Sequence, residues 1–294
     1  MGRVTRKHAV VRWAAGRMAQ RPDTLAVEEP LEVRLNGEAF VVTMRTPGDD
    51  IDLIHGLLHS EGVITGVDDI VTARYCDGVG PDGLNTYNVL DIRLAEGVAP
   101  PEPGLHRNVL TTSACGVCGL TSIDQVLRTS RFALDQSLAV DPLMLLAAPD
   151  QLRQEQKAFD KTGGLHAAGL MTLDGVMLCV REDVGRHNAV DKVIGWAIRE
   201  GRLPLTEMIL TVSGRASFEL TQKAVLAGIP VMAAVSAPSS LAVELAADAG
   251  LTLVGFVRGD SMNVYTHADR LQLTQPNDPA GQEKQPVAAP RLHV

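Results

Sequence analysis

Two thiols two residues apart, in Cys115-Gly116-Val117-Cys118-Gly119, carry the clearest chemistry in this sequence. A Cys-x-x-Cys spacing lets two sulfurs meet one partner: a metal ion, each other as a disulfide, or a sulfur atom passed from one to the other. The glycine after each cysteine removes a Cβ, so the backbone can turn sharply and a bulky partner can approach both thiols. Upstream, Leu110-Thr111-Thr112-Ser113-Ala114 predicts an accessible loop. Downstream, Leu120, Ile123, Val126 and Leu127 recur at helical spacing, with Thr121 or Ser122 able to cap the start. The thiols therefore precede a helix N-terminus, where the helix dipole and free N–H groups favour thiolate over thiol.

The second half supplies further candidates. Strand-like runs lead into Ser213-Gly214-Arg215-Ala216-Ser217, Ser236-Ala237-Pro238-Ser239-Ser240 and Arg258-Gly259-Asp260-Ser261. Each turn offers small residues, hydroxyls and backbone N–H groups, and two offer an arginine, which together suit an anionic, phosphorylated ligand. Serine, glycine and proline also make good turns and caps on their own account. Their recurrence in three successive turns is what favours a site. Arg181-Glu182-Asp183-Val184-Gly185-Arg186-His187-Asn188-Ala189-Val190-Asp191-Lys192 concentrates both signs of charge and an imidazole at a strand-to-helix turn. A solvated helix start explains the acids, whereas His187 is a candidate proton handler or anion donor. In Thr162-Gly163-Gly164-Leu165-His166-Ala167-Ala168, His166 suits a cavity or a satisfied core position equally. His55 and His59 stand four apart with no intervening Glu, so an ordinary helix with two histidines is the reading there.

These groups must be positioned by a scaffold, and its elements are legible in order. Apolar alternation over 31–35 and 39–44 flanks Asn36-Gly37, a type I′ hairpin signal, and Ile51, Ile54, Leu57 and Leu58 predict a helix after it. Extended runs at 70–75 and 87–94 complete a β-rich first third, and three prolines within 97–103 mark a boundary. A helical stretch over 142–159, broken at Pro149, follows. Strands at 165–172, 176–180, 208–212, 231–235 and 251–257 then alternate with helices at 188–199, 218–227 and 239–249. Such alternation, with strands apolar on both faces, predicts a three-layer α/β fold with parallel strands. The expected organisation is a basic, partly disordered leader over 1–22, a β-rich domain over 23–104, an α/β domain with the cysteine loop over 105–273, and a disordered tail over 274–294.

Composition narrows the function classes. The 294 residues include 45% apolar ones, enough for a large core, and a net charge of −8 argues against broad phosphate neutralisation of nucleic acid. Aromatic content of 3% leaves little for base stacking. No run approaches the roughly 20 apolar residues of a membrane span, and no secretory signal precedes the four cysteines, so a cytoplasmic protein with no nucleic-acid or membrane partner is expected.

Four readings compete for Cys115 and Cys118. Structural zinc needs four ligands, and only Cys76, Cys179 and scattered histidines are at hand. A zinc deaminase needs a proline before its Cys-x-x-Cys and a His-x-Glu, but Ala114 precedes Cys115 and alanines follow His166. A thioredoxin-like dithiol belongs after an apolar strand near the start of a compact βαβ unit. A persulfide carrier needs an activated thiolate and a neighbouring thiol.

The segments Cys-Gly-Val-Cys-Gly, Thr-Gly-Gly-Leu-His-Ala-Ala, Arg-Glu-Asp-Val-Gly-Arg-His-Asn-Ala-Val-Asp-Lys, Ser-Gly-Arg-Ala-Ser-Phe-Glu-Leu and Leu-Val-Gly-Phe-Val-Arg-Gly, taken in order, resemble the formate dehydrogenase accessory sulfurtransferases. The resemblance runs from the Asn36-Gly37 hairpin to His267. It implies a cytidine-deaminase-like three-layer core with a mixed or parallel sheet and no zinc. It implies a sulfurtransferase that accepts persulfide sulfur from a cysteine desulfurase at Cys115, with Cys118 as second thiol. The sulfur then passes to a bis(molybdopterin guanine dinucleotide) molybdenum or tungsten cofactor before its insertion into formate dehydrogenase. Phe256, Val257, Arg258, Gly259, Asp260 and Ser261 correspond to the cofactor-binding stretch, beside the turn residues Ser213, Gly214 and Arg215 and the imidazole of His187. A homodimer is expected on the same ground. The alternative is a non-catalytic chaperone of the cofactor or apo-enzyme.

Overall fold

The computed structural model describes residues 4–76, 78, 87–100, 130–135 and 137–272. Cys115, Cys118, the helix expected after them and the tail lie outside the described residues.

The chain opens with a surprise for a segment read as a disordered leader. β1 (Thr5–Ala14) and β2 (Arg17–Ala26) pair antiparallel along their whole length and form a two-stranded sheet of their own. Ala15 and Gly16, both at positive φ, make the turn. The sequence concealed this ribbon because its strands are interrupted by arginines and bury almost nothing.

β3 (Glu29–Leu35) and β4 (Glu38–Arg45) follow, joined at Asn36 and Gly37 with φ of 52° and 88°, the left-handed pair that a type I′ turn requires. α1 (Asp50–Ser60), β5 (Ile70–Tyr75) and β6 (Val89–Leu94) complete a four-stranded sheet in the order β4-β3-β6-β5. Leu31, Val33, Leu90 and Ile92 from alternate strand positions pack on Leu53, Ile54 and Leu58 of α1.

α2 (Pro142–Glu155) carries Pro149 without ending there; the break expected at that proline is absent, and α3 (Phe159–Thr162) is a separate single turn. β7 (His166–Thr172), β8 (Met177–Asp183), α4 (Arg186–Arg199), β9 (Met208–Val212), α5 (Phe218–Leu226), β10 (Val231–Ala234), α6 (Ser240–Ala249), β11 (Thr252–Arg258) and β12 (Ser261–Val264) build the larger unit. Its six strands run in the order β12-β11-β10-β9-β7-β8. β9, β10 and β11 are mutually parallel, and β7, β8 and β12 pair antiparallel, so the sheet is mixed. One face packs against α4, α5 and α6 through Ala168, Leu170, Leu210, Met232 and Leu253. The other meets α2 through Met171, Ile209, Val231 and Val254. Burial on both faces is why these strands read as continuous apolar runs.

α1 lies directly on α4, which ties the two sheets together. A Cβ on Gly56 would overlap the Asp191 carbonyl, and one on Gly195 would overlap that of Asp52. Glycine here is therefore a close-approach residue.

Candidate functional site

Parallel strands bring their carboxyl ends to one edge of the sheet, and the turns after β9 and β10 lie side by side there. The Ala216 N–H donates to the Ala237 carbonyl at 3.2 Å, the Ser239 N–H to the Ala216 carbonyl at 3.0 Å, and the Ser236 N–H to the Gly214 carbonyl at 3.4 Å. β11 joins them when the Phe256 N–H donates to the Ser236 carbonyl at 3.3 Å. A Cβ on Gly255 would press on Pro238, Ser236 and Tyr265, so the second turn and β11 are in tight contact.

Ser213 belongs to this edge but is partly spoken for. Its Oγ accepts the Ala167 N–H at 2.9 Å, and its own N–H donates to the Ala167 carbonyl, which extends the β7–β9 ladder. Gly214 leaves room: the atoms nearest a Cβ there would be those of His166 at 3.5 Å and Arg186 at 3.8 Å. Arg215 is exposed. At the end of β11 the ladder slips between Gly255 and Arg258, and Phe256 takes φ 53°. A bulge with a non-glycine residue in the left-handed region is a device that re-aims side chains. Val257 stays buried, the Arg258 guanidinium sits 5.6 Å from the Phe256 ring centre, and Gly259 and Asp260 form the exposed turn into Ser261.

β7 begins and β8 ends at this same edge, because His166 pairs with Asp183 in the antiparallel ladder. α4 starts immediately after β8, which places Arg186 and His187 beside His166 and Gly214. His187 Nε2 lies 2.7 Å from the Glu219 carboxylate and 3.4 Å from Ser217 Oγ. Burial, helped by the neighbouring Arg186 and His187, lowers the His166 pKa and keeps its ring neutral. The Arg186 Nε is buried and has no hydrogen-bond partner among the described residues.

The remaining charges of the 181–192 run are structural. Arg181 pairs with Asp52 at 2.9 Å, and Glu182 accepts the N–H groups of Ala158 and Phe159 at 2.8 and 2.7 Å. Asp183 and Lys192 form a buried pair at 2.8 Å, and Lys223 lies 2.7 Å from Asp191. With its neighbours bound inward, Arg186 is the cation of this run that carries no carboxylate among the described residues. Sequence reasoning gave it no role of its own. The usable signal was its place at the first position of a helix that follows a strand end.

Of the predicted site residues, Ser213, Gly214 and His187 thus share one edge with Arg186 and His166, and Phe256–Arg258 approach it along β11. Cys115 and Cys118 lie outside the described residues. Of the other two cysteines, Cys179 is buried and its thiol is pushed up to about 12 by that burial, which makes it a poor thiolate. Among the described residues no three His, Cys, Asp or Glu side chains converge as metal ligands. His55 and His59 do not converge either: His55 Nδ1 lies 2.8 Å from the Ile51 carbonyl in its own helix. Among the described residues no helix is long and apolar enough to cross a membrane.

Residues 26–272 match the model of the FdhD/NarQ family, which spans both sheets and every residue of the edge described above. The chain belongs to the FdhD/NarQ family. It is 57% identical over 275 residues to the sulfur carrier protein FdhD of Streptomyces avermitilis, covering 93% of this chain and 98% of that one. With the protein of the same description from Nocardia farcinica it shares 60% over 274 residues, 92% of this chain and 96% of the relative. The fold is also that of the crystal structure of a proposed formate dehydrogenase accessory protein from Desulfotalea psychrophila. That structure aligns with a TM-score of 0.73 at 23% identity, over 92% of this chain and all of that one. The N-terminal ribbon lies almost wholly before the family's matched segment.

Proposed function

We propose that this protein is a sulfur carrier of formate dehydrogenase maturation, a sulfurtransferase that delivers sulfur to the metal of a guanine-dinucleotide cofactor bound at the strand-end edge. The observation that carries the reading is Arg186, which stands beside Gly214 with its Nε buried and, among the described residues, with no acid partner. That arrangement suits a phosphate. The family supports it, since its curated relatives are described as sulfur carriers. The six-stranded mixed sheet between α2 and α4–α6 agrees with a cytidine-deaminase-like layering.

The chemistry assigned to the thiols balances. The Cys115 thiolate attacks the outer sulfur of a cysteine desulfurase persulfide, the S–S bond breaks, and the desulfurase cysteine leaves as thiolate. Cys118 then attacks the Cys115 sulfur, a Cys115–Cys118 disulfide forms, and sulfur departs at the sulfide level toward the bound cofactor, which is the substrate. A cellular dithiol resets the pair. Arg186 beside Gly214 holds the nucleotide phosphates; His166, neutral, donates one hydrogen bond without adding charge.

Mass spectrometry after incubation with desulfurase and cysteine tests this. A peptide containing Cys115 is expected to gain one sulfur atom, and Cys115→Ala to abolish both the gain and formate dehydrogenase activation. Activation that survives Cys115→Ala would favour a non-catalytic chaperone. Arg186→Ala is expected to weaken GDP binding about tenfold or more with sulfur loading intact, in line with the loss of a charge-assisted contact.

A further inference from the structure

The β1–β2 ribbon does nothing for the core, yet its two faces are sharply different. Residues paired across an antiparallel ladder share a face. One face carries Ala9 with Pro22, Val11 with Gln20, and Trp13 with Met18 toward the tip, and Thr5 with Ala26 and Lys7 with Thr24 at the root. The opposite face carries Arg6 with Leu25, His8 with Asp23, Val10 with Arg21, Arg12 with Ala19, and Ala14 with Arg17, four arginines against one carboxylate. Val11, Trp13 and Met18 are 64%, 69% and 76% exposed. With Val4 and Leu25 of the opposite face they make up five of the eleven large apolar residues exposed among the described residues. The ribbon meets the body at its root, where β2 packs on α3, and the Val27 N–H closes the ribbon's last rung on the Val4 carbonyl at 2.9 Å. An isolated two-stranded ribbon is marginal in water, and a contiguous apolar face on one marks an interaction surface.

Charge says what kind of surface it meets. β1 and β2 hold five Arg or Lys against one Asp, a net +4, so with −8 on the whole chain the remainder carries −12. At the root, Thr5, Arg6, Lys7, Thr24 and Lys161 line a cleft of about 570 Å³ that has three cations and, among the described residues, no carboxylate. An anionic membrane or a nucleic acid would meet the repulsion of the acidic body. A second copy of this chain is a poor occupant too. Stacking two ribbons brings like charges of +4 together, and the other exposed apolar residues, Val67, Val71, Leu143, Val176, Leu241 and Tyr265, are spread over separate elements.

We propose that the β1–β2 ribbon is a docking arm for a partner protein that presents an apolar patch rimmed by carboxylates. Val11, Trp13 and Met18 cover the patch. Arg6, Arg12, Arg17 and Arg21 reach round a ribbon whose strands are only about 5 Å apart and pair with the rim. The opposite charges of arm and body orient the encounter before contact. The inference rests on the function proposed above, because a sulfur carrier must meet a protein donor and a protein recipient.

The test uses the full-length chain and two purified probes, the cysteine desulfurase and apo-formate dehydrogenase of the same organism, with affinities measured at low and high salt. Trp13→Ser with Met18→Ser, and separately Arg12→Ser with Arg17→Ser, are expected to lower affinity for one probe at least tenfold. The arginine pair should also flatten the salt dependence, and thermal stability and GDP binding should stay at wild-type values. Unchanged affinity for both probes, or no binding by wild type, overturns the proposal. So does a wild-type dimer that the Trp13/Met18 variant converts to monomer, or anionic vesicle binding that it abolishes. Loading of Cys115 from a low-molecular-weight persulfide bypasses the arm; its absence sinks the sulfur-carrier reading and leaves the docking result to be judged by itself.

Discussion

His59 illustrates how little a side chain's type says before its surroundings are known. On sequence it is one of two histidines at metal-compatible spacing; in the fold it is 5% exposed, with no partner for its Nδ1 among the described residues. Burial first, then the cations Arg131 and Lys223, lowers its pKa to about 4. Unfolded, the ring takes up a proton as pH falls through about 6.5; folded, it does so only near 4. Its contribution to stability is therefore complete above about pH 6.5 and is lost as pH falls through that window, by roughly 3 kcal/mol at the acid end. His55 and His166, also lowered by burial, act with the same sign. Urea midpoints measured between pH 7 and pH 4.5 should fall, and His59→Leu should flatten the slope in part while leaving the other two contributions. A variant with the wild-type slope would mean that the ring is already charged in the fold. Arg186 makes the complementary case at this scale. Its type is ordinary within a charge run, and only the inward pairing of Arg181, Asp183, Asp191 and Lys192 sets it apart as the cation of that run with no carboxylate among the described residues.

Among the elements, the α1–α4 contact decides whether the two sheets form one body. Each helix presents a glycine to the other's backbone, and at either position a methyl group would overlap a carbonyl. Gly56→Ala and Gly195→Ala should each destabilise by about 3 kcal/mol through overpacking, despite alanine's better helix propensity. Gly164→Ala, whose nearest neighbours would stand at 3.8 and 3.9 Å, should be nearly neutral in the same denaturation measurement. A neutral Gly56→Ala would show that the helices can separate freely. This contact was not legible in the sequence, where a glycine inside a helix reads only as a weak helix former. The Asn36-Gly37 hairpin was legible because its turn chemistry is local, and β9, β10 and β11 because burial on both faces writes a continuous apolar run. The side-by-side placement of the turns after β9 and β10 followed from those strands. The ribbon was missed for the opposite reason: with nothing to bury, β1 and β2 leave no periodic signal. Pro149 misled because α2 tolerates it in mid-helix.

For the molecule as a whole, one buried carboxylate ties the site edge to the small sheet beside the α1–α4 contact. Asp183 accepts the Thr46 N–H at 3.1 Å, the Gly185 N–H at 2.8 Å and the Asn188 amide at 3.0 Å, and pairs with Lys192 at 2.8 Å. Lys192 also donates to the Thr46 carbonyl at 2.9 Å, and Asn188 to that of Met44 at 2.8 Å. Thr46 and Met44 belong to the small sheet's side, whereas Asp183, Asn188 and Lys192 lead into and form the helix that carries Arg186 and His187. Removing the lysine leaves a fully buried carboxylate without its counter-charge, a loss of about 3–5 kcal/mol. Lys192→Met should therefore lower global stability by that amount. It should also accelerate hydrogen exchange in β3 and β6 as much as in β9 and β10, since the pair binds both bodies. Exchange that quickens in one sheet alone, or unfolding in two steps by far-UV circular dichroism and Trp196 fluorescence, would show that the sheets are independent. In that event the position of Arg186 over the strand-end edge would be set by the larger sheet alone.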